Sequence, residues 1–220
     1  LENQHPVHQR MRQMFGCLDF PEELVRRARV GYYGLITYLD EKIGRLLQTL
    51  RETNQEENTI VIYCSDHGEM NGEHGMWRKS SFYEASVRVP LQISWPGYLS
   101  ACDTIDQTVS LVDFIATIID IVDAPSDGLD GDSFFPLMKG DNLQWKNNAF
   151  SEYLAHGVAR PTAMLRQGRY KLHYSLGDQP QLYDLAQDPN EFSDLSTSKD
   201  SSSNSSRFTV PTSVKLESMG

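Results

Sequence analysis

The chain has 220 residues, of which 39% are hydrophobic and 23% charged, and its formal net charge is -10. That is enough apolar material for one sizeable core with a small appended unit, which argues against a wholly disordered chain. The acidic balance argues against nucleic acid or an anionic membrane as partner, because both are recognised by clustered Lys and Arg. A small molecule is the expected partner.

The first residues, LENQHPVHQR, lack the apolar stretch of a signal peptide, and no apolar run approaches the roughly 18 residues that span a bilayer. Position 1 is not Met, and the chain is expected to be a truncated piece of a longer one. Cys17, Cys64 and Cys102 are an odd set without Cys-x-x-Cys spacing. They suggest neither a disulfide framework nor a zinc site, and favour a reducing compartment such as the cytoplasm.

From Pro21 to about Thr53, the residues Leu35, Ile36, Leu39, Ile43, Leu46, Leu47 and Leu50 recur at helical spacing. Pro21, Glu22 and Glu23 suit the start of that helix, and its apolar face should pack on the rest of the protein. After a polar break, Thr59 to Cys64 is β-branched and almost wholly apolar. It reads as a parallel strand covered on both faces, with Cys64 a buried small hydrophobe. The run stops at Ser65-Asp66-His67-Gly68. A second apolar run, Leu91 to Trp95, ends at Pro96-Gly97, and Leu111 to Val122 forms another helical face behind Ser110, a good N-cap. Strands alternating with amphipathic helices predict an α/β sheet sandwiched by helices.

The pattern changes at Ala124-Pro125-Ser126-Asp127-Gly128. A boundary here divides the chain into an α/β portion, 1–125, and a subdomain, 126–195. Within the second, Thr162 to Arg166 and Arg169 to Tyr174 flank Gln167-Gly168 as a hairpin would, which predicts a small antiparallel sheet. Residues 196–220 contain STSKDSSSNSS and are expected to be a disordered tail.

Open α/β sheets bind ligands at the carboxyl ends of their strands. Asp66 and His67 stand at such an end, where a carboxylate beside an imidazole is a metal-ligand pair, half of an acid/base couple or an ordinary turn. The glycine-rich loop that follows ends in Trp77-Arg78-Lys79, and Lys79 could meet an anion near Asp66 or simply be solvated. Glu73 and His74 have loop-stabilising or substrate roles open to them. Glu84 and Arg88 read as supports holding the loop to the sheet. Trp77 and Tyr83 read as packing residues, with a quaternary ammonium substrate as the other use of their rings.

The string TIVIYCSDHGEMNGEHGMWRKSSFYEASVRVPLQISWPG is more specific than its parts, and it resembles the type I sulfatases, whose fold is alkaline-phosphatase-like. There a strand leads into Ser-Asp-His-Gly or Ser-Asp-Asn-Gly, then a glycine-rich loop, a Lys, an aromatic-Glu segment and Arg-Val-Pro-Leu. The resemblance covers about residues 30 to 195. It implies a sulfuric ester hydrolase in which Asp66 and His67 ligate a divalent metal and Lys79 contacts an oxygen of the bound sulfate. The metal implied is calcium, a hard ion that makes Asp66 the surer ligand. Because His67 stands where many relatives have Asn, manganese and zinc are lesser options.

The family's nucleophile is a formylglycine made from the Cys or Ser of a Cys/Ser-X-Pro-X-Arg motif. None of the three cysteines of this chain lies in that pattern, so no residue here is assigned as nucleophile. This chain therefore resembles the C-terminal part of a sulfatase, and by itself it is expected to be inactive. Glu152-Tyr153-Leu154, Arg166 to Lys171 and Gln181 to Leu185 look most like choline sulfatases, which implies a small-molecule sulfate ester. Sulfatases of sulfated sugars, phosphonate or phosphodiester hydrolases of the same scaffold, and a non-catalytic binding fragment are the alternatives. Oligomeric state is not legible in the sequence.

Overall fold

The computed structural model describes residues 4–17, 19–101, 103–125, 127–141, 144–154, 158 and 160–197. Cys102 and positions 198–220 of the expected disordered tail lie outside the described residues.

The first element, α1 (Pro6–Met14), was not foreseen from the sequence. Its signals are a proline in the first turn, tolerated because that N–H has no helical partner, and the pair Val7 and Met11 on one face. Both are buried in a core cluster with Met70, Met76, Tyr83 and Tyr183. The N-terminal helix thus sits between the glycine-rich loop and the C-terminal sheet.

Helix α2 (Glu22–Glu52) spans the predicted residues, but none of its 31 residues is buried. Leu24, Leu35, Leu39 and Leu46 share one face by helical spacing, and each is at least 44% exposed. The expectation that this face is packed is therefore corrected. Periodicity says which residues can be covered together, not that a neighbour covers them. The helix is tied to the loop by Arg29, whose Nε donates to Asn71 O at 2.9 Å.

Strand β1 (Val61–Cys64) pairs antiparallel with β4 (Leu91–Ser94), in the register Val61 to Ser94 through Cys64 to Leu91. The buried parallel strand expected from composition is corrected too: three of its four residues are half-buried, and Cys64 is exposed. Among the described residues β4 is its single partner, so its faces remain partly open. Between the two lie a minimal hairpin, β2 (Met70–Asn71) with β3 (Trp77–Arg78), and the one-turn helix α3 (Glu84–Val87).

Helix α4 (Leu111–Ile121) begins at Ser110 as predicted, with a reciprocal capping box. Ser110 N–H donates to Asp113 Oδ2 at 3.0 Å, and Asp113 N–H donates to Ser110 Oγ at 3.4 Å. Asp113 is fully buried and also meets Lys146 Nζ at 2.6 Å. Burial would push this carboxyl up, but Lys146 and the amides of Asp132 and Ser110 hold it below the usual range. The segment beyond the proposed boundary folds back on α4: Phe134 N–H donates to Thr117 Oγ1 at 3.0 Å, just before α5 (Phe135–Met138).

The C-terminal sheet is an antiparallel meander in the order β5 (Asn148–Tyr153), β6 (Thr162–Gln167), β7 (Tyr170–Ser175) and β8 (Gln181–Asp184). The predicted hairpin is present, with Gly168 at φ +55° in its turn. The alternation along β7 puts Lys171, His173 and Ser175 on the buried face. Mixed helices and antiparallel sheets give the α/β class that the sequence implied. No helix among the described residues is long and apolar enough to cross a membrane.

Candidate active site

At the end of β1 the chain turns sharply, and the turn is held by its own polar groups. Ser65 Oγ donates to His67 O at 2.7 Å, and His67 N–H donates to Asp66 Oδ1 at 3.0 Å. Gly68 N–H donates to Ser86 O at 2.7 Å, which seats the turn on α3. A glycine is needed at this seat because a Cβ on residue 68 would lie 2.1 Å from Ala85 O.

Lys79 returns to this turn from the far end of the glycine-rich loop. Its Nζ is 2.8 Å from His67 Nε2, and Asp66 Oδ2 is 3.5 Å from the same nitrogen. An ammonium has hydrogens to donate and no lone pair, so Nε2 accepts. The ring proton is then on Nδ1, which donates to Gly68 O at 2.8 Å. A backbone carbonyl holding one ring nitrogen protonated while the other lone pair faces outward is the arrangement of metal-ligating histidines.

The structure thus brings Asp66, His67 and Lys79 together. The donor set fits a cation: a carboxylate and an imidazole stand side by side at the turn, with Asp66 Oδ2 3.5 Å from His67 Nε2, and the Lys79 ammonium meets the imidazole lone pair. Asp66 is 83% exposed at its side chain and His67 35%, so the pair opens to solvent. No group of three or more His, Cys, Asp or Glu that could hold a metal ion occurs among the described residues.

The surroundings settle the other candidates' places. His74 stacks on Tyr83 at 3.8 Å and its Nε2 pairs with Asn190 O at 2.8 Å, so it ties the loop to the C-terminal segment. Glu73 accepts from Asn71 N–H and lies 3.6 Å from Arg29. Tyr83 is buried, its phenol pushed up to about 12 by burial, and its hydroxyl meets His8 Nδ1 at 2.9 Å. Trp77 is half-buried against Phe20. Glu84 ties α3 to the C-terminal sheet rather than the loop to β1 and β4: Lys171 Nζ is 2.8 Å from Oε1 and Arg166 Nη1 is 3.0 Å from Oε2. Arg88 is exposed.

Sequence reasoning passed over Ser86, Lys171, His173 and Glu191. Their signal is weak, since a buried lysine or glutamate is recognised by its partner and not by its neighbours in sequence. From the C-terminal sheet, Tyr153 Oη reaches within 3.4 Å of Ser80 Oγ, next to Lys79.

Against known protein families, residues 3–124 match the sulfatase model, and residues 72–210 match the model of the C-terminal region of N-sulphoglucosamine sulphohydrolase. The chain belongs to the sulfatase family. A choline-sulfatase of Rhizobium meliloti (strain 1021) is 37% identical over 204 residues, 89% of this chain and 38% of that protein. Arylsulfatase K of Canis lupus familiaris is 35% identical over 211 residues, 90% of this chain and 39% of its own length. The sulfatase chain thus spans about two fifths of these relatives. Among solved structures, the phosphonate monoester hydrolase of Agrobacterium radiobacter superposes with a TM-score of 0.72 at 31% identity, covering 80% of this chain and 38% of that one.

Proposed function

We propose that Asp66, His67 and Lys79 form one half of a site that hydrolyses a small-molecule sulfate ester, with choline sulfate the first candidate. The observation that carries this reading is that the His67 imidazole at the end of β1 has the Lys79 ammonium 2.8 Å and the Asp66 carboxylate 3.5 Å from its Nε2. The likeness to choline-sulfatase over most of this chain supports the substrate. We further propose residues 1–125 as part of the catalytic α/β domain and 126–195 as its C-terminal subdomain.

Asp66 and His67 would hold the divalent cation, calcium in this reading, with manganese or zinc the options an imidazole ligand allows. When bound, that ion supplies positive charge against the charge that develops on the ester as the sulfate is transferred. The ammonium of Lys79 is placed to hold a sulfate oxygen and to stabilise the same charge. Gly68 O keeps His67 in the tautomer whose Nε2 faces the ligand. The family's formylglycine has no counterpart among this chain's cysteines, so no nucleophilic step is assigned to it.

The test is rate against calcium concentration for the complete enzyme with choline sulfate. Asp66→Ala should lose activity and regain part of it in excess calcium, because a ligand is missing. Lys79→Ala should lose about 100-fold, roughly 3 kcal/mol, with no recovery at any calcium level. Near-normal turnover by Lys79→Ala would make the lysine a solvated loop residue and remove the sulfate half of the reading. This chain alone, with calcium, should turn over neither choline sulfate nor an aryl sulfate.

A further inference from the structure

Helix α3 is a single turn, yet it is held from both sides. Behind it, Glu84 takes Lys171 and Arg166 from the C-terminal sheet, and Glu84 N–H donates to Glu191 Oε2 at 2.6 Å. In front, Ser86 makes two contacts to the site from one buried residue that is 2% exposed. Its carbonyl accepts from Gly68 N–H at 2.7 Å, next to Asp66 and His67. Its hydroxyl donates to Lys79 O at 2.7 Å.

The two segments that carry the site are linked in sequence through a loop anchored at Met70 and Met76 but exposed at Arg78 and Lys79, and a lysine has four rotatable side-chain bonds of its own. Something must bring its main chain to a set distance from the turn before Nζ can reach Nε2 reproducibly. We propose that Ser86 is a positioning residue, bridging the Asp66–His67 turn and the main chain of Lys79 so that the ammonium is delivered beside the turn, where in the metal-free chain it meets His67 Nε2. Its catalytic consequence rests on the function proposed above, but the bridge itself is a property of this chain. Ion pairs behind α3 make the bridge stiff, because Ser86 is only two residues from Glu84. Removal of the hydroxyl leaves the Gly68 contact, which is a backbone one, and frees Lys79 alone.

The bridge can be read without turnover. The 15N signal of an imidazole lone pair moves when it accepts a hydrogen bond, so the His67 Nε2 shift of this chain reports whether Lys79 is in place. Lys79→Met sets the shift of the unpaired ring. Ser86→Ala should move the signal most of the way to that position, while Ser86→Thr, which keeps the hydroxyl, should stay near the wild-type value. Amide signals of β6 and β7 check the fold, and Ser86→Cys replaces the alanine variant if that one fails to fold. A wild-type shift in Ser86→Ala or Ser86→Cys overturns the proposal, as does a Lys79→Met signal that does not move. Calcium titration of the complete enzyme and of its Asp66→Asn variant tests the functional reading separately. No calcium binding by the complete enzyme, alongside the expected shifts, would overturn the metal site and leave the positioning role standing.

Discussion

The ammonium of Lys171 is fully buried 2.8 Å from Glu84 Oε1, so the C-terminal sheet grips the helix behind the site through an ion pair. The same ammonium lies 2.6 Å from Glu191, whose side chain is 1% exposed. Burial would raise the Glu191 carboxyl, yet His173 and Lys171 hold it below the usual range. Two carboxylates sharing one cation offset its desolvation only while all three are present.

Lys171→Met should therefore cost more than the loss of a surface pair. Stranding the buried Glu191 without its ammonium, and leaving Glu84 with Arg166 alone, is expected to destabilise the chain by about 3 kcal/mol or more. Urea unfolding checks the value. A loss below about 1 kcal/mol would place this pair with exposed ones.

Stability should also fall on mild acidification, through the histidines behind the site. Burial, with His173, His5 and His74 nearby, holds His8 well below the usual imidazole range. Burial and then Lys171 lower His173, partly opposed by Glu191. Tyr83, against His8, stays a neutral phenol. The unfolded chain takes up these protons below about pH 6.5 while the folded chain does not, so stability is full above that pH and is lost as pH falls toward the folded values. The depressed carboxyls of Glu191 and Asp113 add a second loss below about pH 4. His8→Asn, with its amide facing Tyr83, should remove up to about 1.4 kcal/mol per pH unit from the first slope. Unfolding free energies between about pH 5 and 8 decide it, and an unchanged slope would clear His8 of the effect.

Gly68→Ala tests the seat of the turn on α3. The added Cβ would meet the rigid Ala85 carbonyl at 2.1 Å, so the backbone must shift. The expected cost is about 1–3 kcal/mol of stability. Calcium binding by the complete enzyme should weaken more than in a surface control, because Asp66 and His67 move with the turn. Calorimetric titration of calcium measures this directly.

The apolar face of α2 should make the isolated chain sticky. Leu35 and Leu46 are each 68% exposed on the same side of the helix. A contiguous stripe of this kind drives association in water. Sedimentation should show concentration-dependent self-association, reduced by Leu35→Glu with Leu46→Glu. A monomeric wild-type chain at high concentration would contradict it.

Local order was legible in the sequence. The extent of α2, the Ser110 cap, the β6–β7 hairpin at Gly168 and the placing of Asp66 and His67 at a strand end all follow from spacing within a few residues. What covers a surface did not follow. The run Thr59 to Cys64 states that it can be buried, yet in the structure β1 has one antiparallel partner and Cys64 is exposed. The alternation of β7 was readable, but that its polar side faces inward was not. Lys171 is buried because Glu84, 87 positions away, and Glu191 come to meet it. Likewise the tautomer of His67 depends on Lys79, 12 residues along the chain, and on the carbonyl next to it. Backbone preference and periodicity are properties of neighbours in sequence, whereas the charge state and direction of a functional group are set by partners that only packing brings within hydrogen-bond reach.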